Sequence, residues 1–270
     1  MGALSARGDA PHESNSANPH RLDTRAREAL AELLLTLADD EFIIGFWDSE
    51  WTGIAPMLEE DVAMSSISQD EIGHARALYE LLASLTGDDA DRIAYGRSAA
   101  EFRHAALMNH ARTDWAFTIA RRYLYETADA VRLEALERSS FEPLAQLSAK
   151  MRREETYHLM HFDIWLWRLA ESVPERFASA LGQLWPDAQA IFTPLVGEQP
   201  LLSSGILPEP MSTLRERWIE RISPVVDRLG LSLGAAPLPA EDGRTRRTPD
   251  FVWLHGEFTM VARSEPGATW

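Results

Sequence analysis

Apolar residues recur three and four positions apart along four long stretches of the chain, the spacing that gathers them on one face of an α-helix. The first stretch covers residues 24–49, with an inward row of Leu34, Leu37, Glu41 and Ile44. Trp51-Thr-Gly-Ile-Ala-Pro56 breaks it. The second covers about 57–85, with the row Met64, Ile67, Glu71, His74, Leu78 and Leu81, and Gly87-Asp-Asp ends it. The third covers about 114–138, with the row Ile119, Tyr123, Glu126, Ala130 and Leu133. The fourth covers about 141–169, with the row Met151, Glu155, His158, Phe162, Trp165 and Leu169. Four amphipathic helices of this length bury their stripes against one another, so the pattern predicts an all-α chain built on a four-helix bundle.

The remaining segments are shorter or less regular. A short helix is expected within residues 100–110, and two more over 175–192 and 211–229. Residues 194–210 hold four prolines and read as loop. Residues 231–249 are rich in proline, glycine and charge and are expected to be irregular, with a last short helix around His255. Residues 1–20 are rich in Ser, Ala, Asn and Pro and read as a disordered tail. The expected organisation is therefore a tail (1–20), a helical domain (21–230) and an extension (231–270).

Composition narrows the classes of function. The formal charge of −16, from 42 acidic against 26 basic residues, argues against binding a nucleic-acid backbone. No run of about 20 apolar residues is present, so no membrane-spanning helix is expected. The tail lacks the apolar segment of a secretory signal. The absence of cysteine excludes disulfides and thiolate metal sites and fits a cytoplasmic setting.

Ionisable residues interrupt all four apolar rows, and they do so in a repeated pattern. Glu71-Ile-Gly-His74 and Glu155-Thr-Tyr-His158 each place a carboxylate and an imidazole on one helix face. A carboxylate-bridged di-metal site in a bundle needs two such pairs and one Glu from each remaining helix, which Glu41 and Glu126 supply. Glu41 precedes Glu71 by 30 residues and Glu126 precedes Glu155 by 29, as four acids at one level of an internally duplicated bundle would. Unpaired carboxylates in a core are costly, and two cations remove that cost. Carboxylate with imidazole suits iron, with manganese the other ion the set accepts.

A third Glu-x-x-His, Glu101-Phe-Arg-His104, has no long apolar row through it and is read as a pair of surface residues. Asp40, Asp129 and Glu154 are candidates for carboxylates that orient metal-bound histidine, with surface salt bridges the alternative. Tyr123, Tyr125 and Tyr157 lie near the ligands in sequence. Gly45 and Gly73 beside the ligands either leave room for substrate or allow close helix packing, and packing is expected for Gly73. Arg121, Arg122, Arg152 and Arg153 either meet the phosphates of a carrier such as coenzyme A or sit on solvated helix faces.

Several separated blocks carry a resemblance. Residues 37–45, Ser49-Glu50-Trp51, Leu58-Glu-Glu-Asp61, the run from Gln69 through His74 to Leu78, and the run from Ala149 to His158 resemble the ferritin-like subunits of phenylacetyl-CoA epoxidase. The likeness is strongest to the PaaC-type subunit, usually described as the structural partner of a catalytic paralogue. It spans about residues 33–229 and, more weakly, 242–270. The resemblance implies a ferritin-like subunit of a multicomponent oxygenase that uses dioxygen and electrons from a reductase subunit to epoxidise the ring of a coenzyme A thioester. In structural subunits of that family the metal ligands are degraded, whereas Glu41, Glu71, His74, Glu126, Glu155 and His158 are all present here. The expectation is thus a di-iron subunit that activates dioxygen at a four-Glu, two-His site. The alternatives are a structural subunit supporting a catalytic paralogue and a stand-alone ferritin-like di-metal oxidase. The stretch from Gly243 to Pro249 departs from the family's usual Gly-Arg-x-Gly-x-His.

Overall fold

The computed structural model describes residues 22–265 apart from 232, 234 and 236, so the tail expected over 1–20 lies outside the described residues. Among the described residues every regular element is a helix. The four long stretches form α1 (Thr24–Ser49), α2 (Leu58–Thr86), α4 (Trp115–Leu136) and α5 (Glu142–Ser172), with a short α3 (Ala90–Tyr95) between the two pairs. Asp23 caps α1 by accepting from the Ala26 N–H at 2.7 Å, and Asp114 caps α4 by accepting from the Phe117 N–H at 2.9 Å. Glycine ends α2 because Gly87 takes a positive φ of 77°, which side-chain-bearing residues avoid.

α1 pairs with α2 and α4 with α5, and α2 meets α5, which closes the bundle. The Trp51–Pro56 turn is fastened by Asp61, whose carboxylate accepts from the Gly53 and Ala55 N–H groups at 3.0 and 2.9 Å. Within each hairpin one helix is covered more fully than the other. α5 buries one stripe, including Met151, Glu155, His158, Phe162 and Leu169, and α2 does likewise. α4 is buried almost all round, because α6 (Pro174–Ala188) lies against it. α7 (Glu198–Ser204) covers α1, and α8 (Met211–Arg228) adds to the cover of α4. Charged residues on the outer sides of α1 and α4 are therefore interior residues here.

Two local expectations change. Residues 194–210 are not all loop, since α7 forms within them; Pro200 sits in its first turn, where the amide it lacks would have no helical partner, and Leu201 anchors the turn in the core. Residues 100–110 form no α-helix but two 3₁₀ turns, Ala99–Glu101 and Ala106–Asn109. The extension carries α9 (Pro249–Phe258) and α10 (Met260–Ser264), matching the short helix expected around His255. It is stitched to the bundle by Arg244, which donates to Asp40 of α1 at 3.1 Å through each terminal nitrogen, to the Arg103 carbonyl at 2.9 Å and to the Ile191 carbonyl at 2.8 Å.

Candidate metal centre

Glu41 comes from α1, Glu71 and His74 from α2, Glu126 from α4, and Glu155 and His158 from α5. None of the six is more than 3% exposed. They converge as two overlapping groups, Glu41 with Glu71, His74 and Glu155, and Glu71 with Glu126, Glu155 and His158. In each group one ligand atom per residue lies within 4.8 Å of the others, and Glu71 and Glu155 belong to both. The bundle thus brings together all six residues singled out in the sequence.

Both imidazoles turn Nδ1 inward. His74 Nδ1 lies 3.4 Å from Glu41 Oε2 and 3.2 Å from Glu155 Oε1. His158 Nδ1 lies 3.4 Å from Glu71 Oε1 and from Glu155 Oε2. Their Nε2 atoms face outward, to Glu154 at 2.8 Å for His74 and to Asp70 at 3.1 Å for His158. Each outer acid immediately precedes the Glu of the opposite helix, so the arrangement is reciprocal. Asp70 is not among the sequence candidates, although the repeated acid–Glu–x–x–His makes it legible.

The inward atoms are the unsatisfied ones. Glu41 Oε2, Glu71 Oε2, Glu126 Oε2, both Glu155 oxygens and both histidine Nδ1 atoms are buried without a hydrogen-bond partner. Buried polar atoms are nearly always paired, and their collection at one point is what bound cations would satisfy. Four carboxylates and two imidazoles fit iron or manganese.

In the protein alone, protons balance this charge. Burial, reinforced by Glu71, pushes the Glu41 carboxyl well above its usual range. Burial also raises Glu126 well above it, Glu155 adding to the effect and Arg122 opposing it. Burial works against the charged forms of the histidines, but the nearby Glu155 and Glu41 carboxylates push His74 up to about 12. The nearby Glu155 and Glu71 carboxylates push His158 up to about 10. Burial would raise Glu71 as well, and the Arg122 guanidinium holds it down at about 2.

Asp40 and Asp129 reach neither imidazole. Both hold Arg132, at 2.7 and 2.6 Å. Arg132 in turn donates to the Tyr125 hydroxyl at 3.3 Å, and that hydroxyl donates to Glu41 Oε1 at 2.5 Å. They therefore stand behind Glu41 at two removes. Tyr157 is 73% exposed and takes no part.

Three sequence expectations need correction. Arg121 and Arg122 are fully buried and cannot meet a carrier's phosphates. Arg121 donates to the His110 carbonyl at 2.8 Å, while Arg122 turns into the acid cluster and bonds Glu71 and Glu126. Arg152 and Arg153 are exposed, Arg152 bonding Glu137 at 2.8 Å. His104 is not a surface residue: it is fully buried and its Nε2 lies 3.0 Å from Asn109 Oδ1, whereas Glu101 is exposed and accepts from the Ser98 N–H at 2.8 Å. The packing glycine is Gly45, where a Cβ would meet Glu71 Cβ and Ile72 Cγ1 at 3.0 Å and the Ser68 carbonyl at 3.2 Å. Gly73 is exposed, with open space where its Cβ would stand.

With this geometry in view, comparison with known proteins is decisive on family. Residues 15–270 match the family described as phenylacetic acid catabolic protein. The chain belongs to that family. It is 28% identical over 246 residues to the C-type component of 1,2-phenylacetyl-CoA epoxidase from Escherichia coli (strain K12), covering 89% of this chain and 99% of that protein. It is 25% identical over 217 residues to the A-type component of the same enzyme from the same organism, covering 77% of this chain and 69% of that one. Members of the family are ferritin-like and helical, as is this bundle.

Proposed function

We propose that the chain is a metal-loaded subunit of a phenylacetyl-CoA-epoxidase-like multicomponent oxygenase, with two iron ions held by Glu41, Glu71, His74, Glu126, Glu155 and His158. The convergence of unsatisfied inward atoms from all six residues carries this reading. When bound, such an iron pair supplies the binding and reduction of dioxygen. The protein's own part is positional. Glu154 and Asp70 fix the imidazole planes, and Tyr125 fixes one oxygen of Glu41. Met64, Ile67, Met151 and Phe162 on the ligand-bearing helices keep the bundle interior apolar.

The substrate class, a coenzyme A thioester of an aromatic acid, and the need for a ferritin-like paralogue are proposed from the named relatives, and a reductase is proposed because reduction of dioxygen needs an electron source. A cytoplasmic location is proposed with them, in keeping with a cysteine-free chain and with the absence of any described helix able to cross a membrane. An exposed apolar face supports a place in a larger assembly. Leu58 and Val62 on α2 and Tyr157, Met160 and Ile164 on α5 are all more than half exposed. The 3.0 Å contact between Glu60 and His161 brings these stretches side by side. Faces of this kind mark contacts between proteins.

A structural role beside a catalytic relative is the second reading, favoured by the Arg122 guanidinium inside the acid cluster. Anaerobic Fe(II) reconstitution, with metal counting and anomalous scattering at the iron edge, tests the first reading. It predicts density at all six residues at saturating iron. A folded protein that takes up neither iron nor manganese would sink it.

A further inference from the structure

The two halves of the centre are not electrostatically alike. In the half formed by Glu41, His74, Glu71 and Glu155, no arginine among the described residues bonds Glu41, His74 or Glu155, and Glu71 is shared with the other half. In the other half, Arg122 Nη2 bonds Glu71 Oε1 and Glu126 Oε1, so a full positive charge already sits between two of the four ligands. Arg122 is tethered there from behind. Its Nε lies 3.3 Å from Asp48 Oδ2, its guanidinium stands 4.8 Å over the Phe162 ring, and Arg121 lies 3.5 Å from the other Asp48 oxygen. All three charged residues of the tether are fully buried.

Resting on the metal-centre reading above, we propose that Arg122 makes the two half-sites unequal, so that one divalent ion binds tightly beside His74 and a second binds beside His158 much more weakly. A guanidinium and a divalent cation sharing Glu71 and Glu126 repel each other strongly in a buried site. Arg122 also bonds one oxygen of each of those carboxylates, so that Oε2 is the oxygen of Glu126 left without a partner. Arg122 is in this sense a positioning residue. It sets where the first ion goes and how readily a pair forms. This distinguishes the chain from a symmetric six-ligand centre, although its ligand list is complete.

The test uses the full chain and Mn(II) alone, followed by calorimetry and electron paramagnetic resonance. In the wild type, one equivalent is expected to give an uncoupled six-line spectrum. The second equivalent should bind at least about a hundredfold more weakly. Crystals soaked at limiting Mn(II) should show anomalous density beside His74 and none beside His158. Arg122→Gln should narrow the gap to about tenfold or less and give the spin-coupled spectrum at low loading, whereas Arg122→Lys, which keeps the charge, should retain the wild-type order. Two equal sites in the wild type, or first density beside His158, overturns the inference and leaves the metal-centre reading intact. Absence of Mn(II) and Fe(II) binding in both wild type and Arg122→Gln overturns both. Should Arg122→Gln fail to fold, the wild-type titration and limiting soak decide the matter alone.

Discussion

His74 of α2 is hydrogen-bonded at 2.8 Å through Nε2 to Glu154 of α5, the residue next to Glu155, whose Oε1 lies 3.2 Å from the other ring nitrogen. The same ring is thus gripped on both sides by consecutive residues of one facing helix. His158 repeats the relation with Asp70 and Glu71 of α2. Outer carboxylates of this kind fix ring orientation and raise ligand basicity.

Glu154→Gln is therefore expected to weaken metal binding by about 10- to 100-fold while leaving the fold intact, because Glu154 is half-buried at the bundle's edge. Asp70→Asn should weaken only the later, His158-side step. Metal titration followed by spectroscopy separates the two. Unchanged first-ion affinity in Glu154→Gln would remove Glu154 from the orienting role.

Gly45→Ala and Gly73→Ala should differ in sign. A Cβ at Gly45 would press on Glu71 Cβ and the Ser68 backbone, so a loss of about 1–3 kcal/mol is expected, with disturbed metal uptake. At exposed Gly73 inside α2 the same change should be neutral or stabilise by up to about 1 kcal/mol through helix propensity. Urea unfolding of both variants checks this, and a stable Gly45→Ala would refute the close-approach argument.

His104 predicts a pH dependence away from the metal centre. Burial drives its pKa well below 6.5; Arg247 and Arg244 beside it act in the same direction, while Asn109 and Asp40 oppose them. The neutral ring is the folded form, so the unfolded chain binds the extra proton. Its contribution to stability is full above about pH 6.5 and falls with acidification, by up to about 1.4 kcal/mol per pH unit. Thermal melts from pH 8 to 5 should show this loss, and His104→Asn should flatten it. An equal slope in the variant would assign the acid sensitivity elsewhere.

Arg244→Ala should release the extension. The change removes bonds to Asp40, Arg103 and Ile191 and leaves Asp40 with Arg132 and the Ala105 N–H. The cost expected is about 3 kcal/mol, at the low end for breaking a buried ion pair, because Asp40 keeps one cation. Limited proteolysis should then cut first within residues 237–248, and resistance equal to wild type would show that the Arg244 bonds do not hold the extension.

Sequence periodicity alone determined the four long helices, their inward rows and the six convergent candidate residues. A three-four repeat fixes which residues share a helix face, and matched hairpin spacings fix which residues share a level. Local spacing says nothing about what covers a helix's other face. That α6 and α8 cover α4, and that α9 sets the Phe251 ring 4.2 Å from the His104 ring, were tertiary outcomes, and they decided the burial of Arg121 and His104. Arg122 reads in sequence like any solvated basic residue one turn before Glu126. Helix spacing sets it on the Glu126 face, and only the tertiary structure places its guanidinium on two of the candidate ligand acids from different helices. The chain's sequence specified a symmetric set of candidate ligands; the tertiary structure made the two halves unequal by setting a buried guanidinium against one of them.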